Sequence, residues 1–131
     1  MDKFISTVLS AIATCFIYVF GGLDVALSCL LIAIVIDYLS GIIKAYIKKE
    51  LSSNIGLKGI LKKVGILCVV ALSVLFDRIA GATGAVRTLV IYYFVANEGL
   101  SILENLGAAG VPIPKKLKKA LKDLKKESNK K

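Results

Sequence analysis

Four long apolar runs, separated by short polar breaks, organise this chain. The first, Phe4 to Phe20, carries no charge and comes close to the ~20 residues that cross a bilayer as a helix. Gly21, Gly22 and Asp24 follow as a tight turn. A second run, Val25 to about Ile43, is interrupted only by Asp37. Residues 44–63, KAYIKKELSSNIGLKGILKK, form a polar, basic stretch that reads as a loop. The third run starts at Val64, is clean to Phe76, and then meets Asp77, Arg78 and the small-residue stretch IAGATGAV. The fourth, Thr88 to Leu106, carries Glu98 and Glu104 and stops at GAAGVPIP. Length excludes one helix over residues 4–43, which at about 1.5 Å per residue would reach ~60 Å, twice the hydrocarbon thickness.

The polar residues inside these runs repeat at helical spacing. On the second run Asp37, Ser40, Gly41, Lys44 and Lys48 fall on one face, and on the third Ser73, Asp77, Ala80, Gly81 and Gly84 do the same. The fourth aligns Asn97, Ser101, Glu104, Asn105 and Ala108, with Glu98 at the edge of the face. The first aligns Ser6, Ser10, Ala13 and Thr14. An acid or lysine at the centre of a membrane helix costs ~2.5–3.5 kcal/mol on insertion scales, so such residues turn toward protein or water. The stripes therefore either pack helices together, small residues allowing close approach, or line a water-filled opening between copies. Asp77, beside Arg78 near a membrane boundary, is expected to form a local ion pair.

Composition agrees with a lipid solvent for most of the chain. Hydrophobic residues make up 56% and mean hydropathy is +0.77, more apolar surface than a soluble domain of 131 residues hides. The formal net charge is nevertheless +9. The lysines sit at the edges of the apolar runs and in the last seventeen residues, nine of which are lysine. Anionic headgroups are thus a nearer partner than nucleic acid. Leu117, Ala120, Leu121 and Leu124 fall at i, i+3, i+4 and i+7, which predicts a short basic amphipathic helix. Its lysines Lys115, Lys116, Lys118, Lys119 and Lys122 are expected at the membrane surface, and residues 125–131 read either as part of this helix or as a frayed solubilising tail. Pro112 and Pro114 keep this helix from continuing the fourth run.

The distribution of positive charge also predicts topology. Lys3, six lysines between positions 44 and 63 and the nine of the tail fall on one side, against Arg78 and Arg87 on the other. Both termini are therefore expected in the cytoplasm. Lys3 and the apolar residues after it resemble a signal peptide, but more apolar runs follow at once, so an uncleaved first span is expected.

Catalysis and cofactor chemistry find no support in the residues. The chain has no histidine, and Cys15, Cys29 and Cys68 lie inside apolar runs without metal-ligand spacing. No serine has a plausible base and no glycine loop is built for phosphate. Neither enzyme activity, nor a metal, nor a cofactor is expected.

Three blocks carry a family resemblance. One is Asp37-Tyr-Leu-Ser-Gly41 with Lys44 and Leu51 to Lys63. The second is Phe76-Asp77. The third is Asn97-Glu98, Ser101 to Asn105, and Gly110-Val-Pro112-Ile-Pro114 with the basic tail. Together they resemble the toxin-secretion/phage-lysis holin family, small membrane proteins often described with three spans, where the residues here count four. The first 36 residues match it only in hydrophobicity. The resemblance implies a protein that self-associates in the bacterial cytoplasmic membrane and opens a lesion, through which a cell-wall hydrolase (endolysin) or a large toxin passes.

The expectation is thus an all-α integral membrane protein. Residues 1–114 form about four transmembrane helices and residues 115–131 a basic cytoplasmic tail. Its function would be that of a homo-oligomeric holin with endolysin or toxin as a functional partner. Asp37 with Lys44, and Glu98 with Glu104 and Asn105, would mediate self-association or line the opening, together with Ser40, Gly41, Asp77, Asn97 and Ser101. The competing functions are a small proton-coupled transporter, which paired carboxylates would suit, and an antiholin-type inhibitor of lysis.

Overall fold

The computed structural model describes residues 1–81 and 83–129. Ala82 of the small-residue stretch, and Lys130 and Lys131 of the tail, lie outside the described residues. Five helices run through the described residues: α1 (Asp2–Phe20), α2 (Val25–Ile47), α3 (Ser53–Ile79), α4 (Ala85–Ala108) and α5 (Lys115–Asn129). Among the described residues there is no strand, and α1 to α4 are each long and apolar enough to cross a membrane. The four apolar runs are therefore four helices, and the basic helix of the tail is present.

Local chemistry sets the helix ends. α1 ends on Gly21, whose φ of 79° is the left-handed conformation that glycine reaches without penalty. The Asp24 side chain caps α2 by accepting from the Leu27 N–H at 3.0 Å, and Ser52 caps α3 by accepting from Ile55 at 3.2 Å.

That serine cap corrects one expectation. Residues 44–63 are not a loop: α2 continues to Ile47 and α3 begins at Ser53, so only residues 48–52 connect them. The lysines between 58 and 63 dilute the hydropathy of this segment. They do not interrupt its helix, because lysine is a good helix former.

α4 is the central element, packed against α2, α3 and α5. The apolar core comprises Leu27 and Leu30 of α2, Val70 of α3 and Ile91 of α4, all fully buried, with Phe16, Phe20 and Phe94 packed around them. α1 stands apart. None of its residues is buried, and its stripe of Ser6, Ser10, Ala13 and Thr14 is exposed. Within α1, Thr14 merely donates to the Ser10 carbonyl at 2.8 Å. The stripe of α1 thus packs no helix within the protomer, whereas those of α2 and α4 do. Cys15, Cys29 and Cys68 are free thiols on the exterior.

Candidate functional site

Two polar layers sit at different heights in the bundle. In the inner one, the Lys63 ammonium of α3 donates to both Asp37 of α2 and Glu98 of α4. Asp37 lies ten residues before the end of α2, Lys63 ten after the start of α3, and Glu98 ten before the end of α4. At about 1.5 Å per residue, all three meet ~15 Å in from the same end of the bundle, half the thickness of a hydrocarbon core. Their side chains are 8%, 17% and 3% exposed in that order. Charges so deep are tolerable only when paired and hydrogen-bonded. The Asn105 amide completes the shell, donating to Asp37 Oδ1 at 3.0 Å and to Ser40 Oγ at 3.0 Å. Ser40 in turn donates to the Asp37 carbonyl. Among the described residues no buried side-chain polar atom lacks a partner.

A cavity of about 480 Å³ opens beside this layer between α2, the first half of α3 and α4. Its wall combines the charged trio with Gly41, Asn97, Ser101 and Asn105, and with apolar side chains such as Ile42 and Phe94. Gly41 lies beside Asn105, whose Nδ2 would stand in ordinary contact, 3.7 Å from a Cβ at that position.

The outer layer repeats the charge arithmetic, one cation between two acids, with the cation now on α4. The buried Arg87 of α4 donates through Nη1 and Nη2 to Asp24 at 2.8 and 3.1 Å. It also donates to the carbonyls of Phe20 at 2.6 Å and Gly22 at 3.0 Å. The guanidinium, and then the Leu27 N–H, hold the Asp24 carboxyl at about 2, below its ordinary 3.8. Asp77 is the second acid here, and it does not pair with Arg78. Its carboxylate accepts from the Val86 and Arg87 N–H groups at 3.1 and 2.9 Å, capping α4 from the end of α3. The helix has need of it, since its own capping position is Gly84, which has no side chain to offer. Arg78 instead donates to the Tyr18 carbonyl and lies 4.0 Å from the centre of the Tyr18 ring.

Replacing Asp77 by alanine is expected to destabilise the chain by about 1–2 kcal/mol, the range for a lost helix cap. Asp77→Asn should recover part of it. Denaturant unfolding in detergent, followed by helical circular dichroism, measures both.

Between the layers lies a dry segment. Each of the three packed helices contributes core residues between its two polar positions: Leu27 and Leu30 between Asp24 and Asp37, Val70 between Lys63 and Asp77, Ile91 between Arg87 and Glu98. The eleven residues from Arg87 to Glu98 span ~16 Å.

The sequence-derived candidates separate accordingly. Asp37, Ser40, Glu98 and Asn105 come together, and Gly41 and Ser101 border them. Lys44 is not the partner of Asp37, and Glu98 does not join Glu104, which is exposed on α4. Lys63 takes both roles. It was hidden among the basic residues of an expected loop, although the apolar run beginning at Val64 was a signal that this lysine stands inside a helix. Asn97 faces another neighbour, accepting from Lys125 of α5 at 2.9 Å. Lys115, Lys116, Lys118, Lys119 and Lys122 are exposed on α5, which packs along α4.

The sequence profile of the bacteriophage holin family matches residues 14–126. An uncharacterized 14.9 kDa protein of the nagH 3′ region of Clostridium perfringens is 51% identical over 115 residues, 87% of each chain. An uncharacterized protein of Clostridium acetobutylicum is 45% identical over 109 residues, covering 82% of this chain and 87% of its own. A probable holin of Bacillus phage phi105 is 37% identical over 97 residues, covering 74% of this chain and 71% of its own. No solved structure matches the chain.

Proposed function

This chain belongs to the bacteriophage holin family, and from that premise we propose that it self-associates in the bacterial cytoplasmic membrane and opens a lesion between copies. A cell-wall hydrolase, or in a toxin-exporting cell a large toxin, would leave through it. The role requires no enzyme activity. The N-terminus and the start of α5 lie on the cytoplasmic side in this reading. Moving Lys63 out of the connecting segment and into the bundle leaves the excess of lysine on that side intact. Lys115 and Lys116, at the start of α5, meet the anionic headgroups there.

The observation that carries the reading is the dry segment. A transporter needs its acids to reach both sides of the membrane in turn. Here Asp37 and Glu98 are bound to one lysine and separated from the outer layer by fully buried Leu27, Leu30, Val70 and Ile91. An opening through one protomer would have to dismantle its core, whereas an opening between protomers leaves the core untouched. Satisfied as they are inside the protomer, Asp37 and Glu98 act as fasteners of the bundle in this reading.

Induction of the chain alone, with membrane potential and viability followed in time, tests the proposal. An abrupt collapse of both is expected. An intact potential would overturn it in favour of a transporter or an antiholin, which coexpression with a lytic holin separates, since only the antiholin delays lysis.

A further inference from the structure

We propose that α5 forms the wall of the aqueous opening, a lysine-bearing helix held against α4 at bilayer depth with its charged side toward water. The proposal rests on the lytic reading and assigns which side of the protomer faces the lumen.

Three contacts hold α5 in place. Leu121 sits on Gly99, where a Cβ would stand 3.0 Å from the leucine Cδ1. Lys125 donates to Asn97, and its ammonium lies 5.7 Å from the centre of the Tyr93 ring. Asn97 and Gly99 flank Glu98, so these contacts are level with the inner ion layer, ~15 Å from the end of α4. Among the described residues α5 packs on α4 and on no other helix, which leaves its outer side toward the exterior.

At this one level the protomer presents two incompatible exteriors. Near Asp37 and Lys63, the helices α2 and α3 expose Ile36, Leu39, Leu61 and Val64, a surface suited to hydrocarbon. On α5, Lys118, Lys119 and Lys122 are exposed. Lysines at this depth demand water or an acid, and an apolar surface at the same depth demands lipid. A protomer alone in a bilayer cannot meet both demands. A ring of protomers meets them when α2 and α3 face outward to lipid and α5 faces inward to water. Glu104, exposed and two turns along α4 from Asn97, lies on that same side. A tail resting on the membrane surface would instead strip Gly99 of its leucine and Asn97 of its lysine.

The test uses the full chain with Cys15, Cys29 and Cys68 replaced by alanine and carrying Gly99→Cys and Leu121→Cys. It is placed in vesicles of phosphatidylglycerol and phosphatidylethanolamine, with a short, reducible thiol cross-linker. The link is expected to form, and the linked chain to release trapped dextran within about twofold of the reduced chain, since α5 does not need to leave α4. At low ionic strength an anionic dextran should escape about threefold faster than a cationic one of equal size, the sense expected of a basic wall. Lys118→Glu, Lys119→Glu and Lys122→Glu together should reverse that order. Failure of the link to form would overturn the assignment, as would release blocked by the link and restored by reductant, the outcome for a surface-lying tail. A charge preference that the three substitutions leave unchanged would overturn it too. No release from linked or reduced chain would instead overturn the lytic reading itself, and the wall with it.

Discussion

Replacing Lys63 by methionine is expected to destabilise the folded chain by about 3–5 kcal/mol, the range for removing one partner of a buried ion pair. The flexible apolar side chain fills much of the lysine's volume, so the loss is almost entirely electrostatic. Two carboxylates, Asp37 and Glu98, would remain at the depth of the inner layer with no cation between them. Asn105 and Ser40 offer hydrogen bonds to the Asp37 side of the layer, but no charge. Adding Asp37→Asn and Glu98→Gln to Lys63→Met should restore most of the stability, because replacing a whole buried charge network is often nearly neutral. Urea or SDS unfolding in detergent micelles reads both variants. If the single variant unfolds with the wild type, the trio is not what joins α2, α3 and α4. The combined variant also bears on function: a bundle restored without its charges should retain lysis if the trio is a fastener, and lose it if the opening requires ionised groups.

Arg87→Met is the second large loss, at roughly 2–3 kcal/mol, since leaving a buried acceptor without its partner costs about 1–3 kcal/mol. Arg87 serves four acceptors on three residues, a number that the fork of a guanidinium reaches and a single ammonium does not. Arg87→Lys should therefore recover little. The Asp24 pair adds less than its geometry suggests, because that carboxylate is 53% exposed and water screens it. It does set a pH dependence. With its folded value near 2 and its ordinary value at 3.8, Asp24 contributes stability that is complete above pH 4. That contribution is lost as pH falls toward 2, where the folded state too takes up the proton. In Arg87→Met this acid-side decline should shrink, which unfolding midpoints measured between pH 5 and 2 would register.

The spans and their number were legible because hydrophobic run length is a one-dimensional property, and so were the polar faces of α2 and α4. The partners across those faces were not. Asp37 was expected with Lys44 because both occur on one helix face. The lysine it binds instead is set by register between helices: ten residues back from the end of α2 matches ten forward from the start of α3, and the connecting residues alone do not fix that match. Asp77 was misread for a related reason. A cap is sought next to its helix, and here it lies eight residues before the first residue of α4, across the turn, with Gly84 occupying the usual position. The docking of α5 had even less signal, since the leucine face of a basic amphipathic helix suits a lipid surface and suits equally a helix whose Gly99 leaves space.

The attachment of α1 has a consequence for how such a chain can change. Tyr18, Phe20 and Gly22 are gripped through their carbonyl oxygens by Arg78 and Arg87, and every residue has a carbonyl. Beside these carbonyls, the Tyr18 ring lies under Arg78 and Phe16 and Phe20 pack on the apolar core, although none of the nineteen residues of the helix is buried. A different apolar helix that kept these three rings and the same glycine turn would be clasped equally well. Residues 2–15, which carry none of these contacts, are thus the replaceable part of the first span, while its last turn and the other four helices are bound by their pairings.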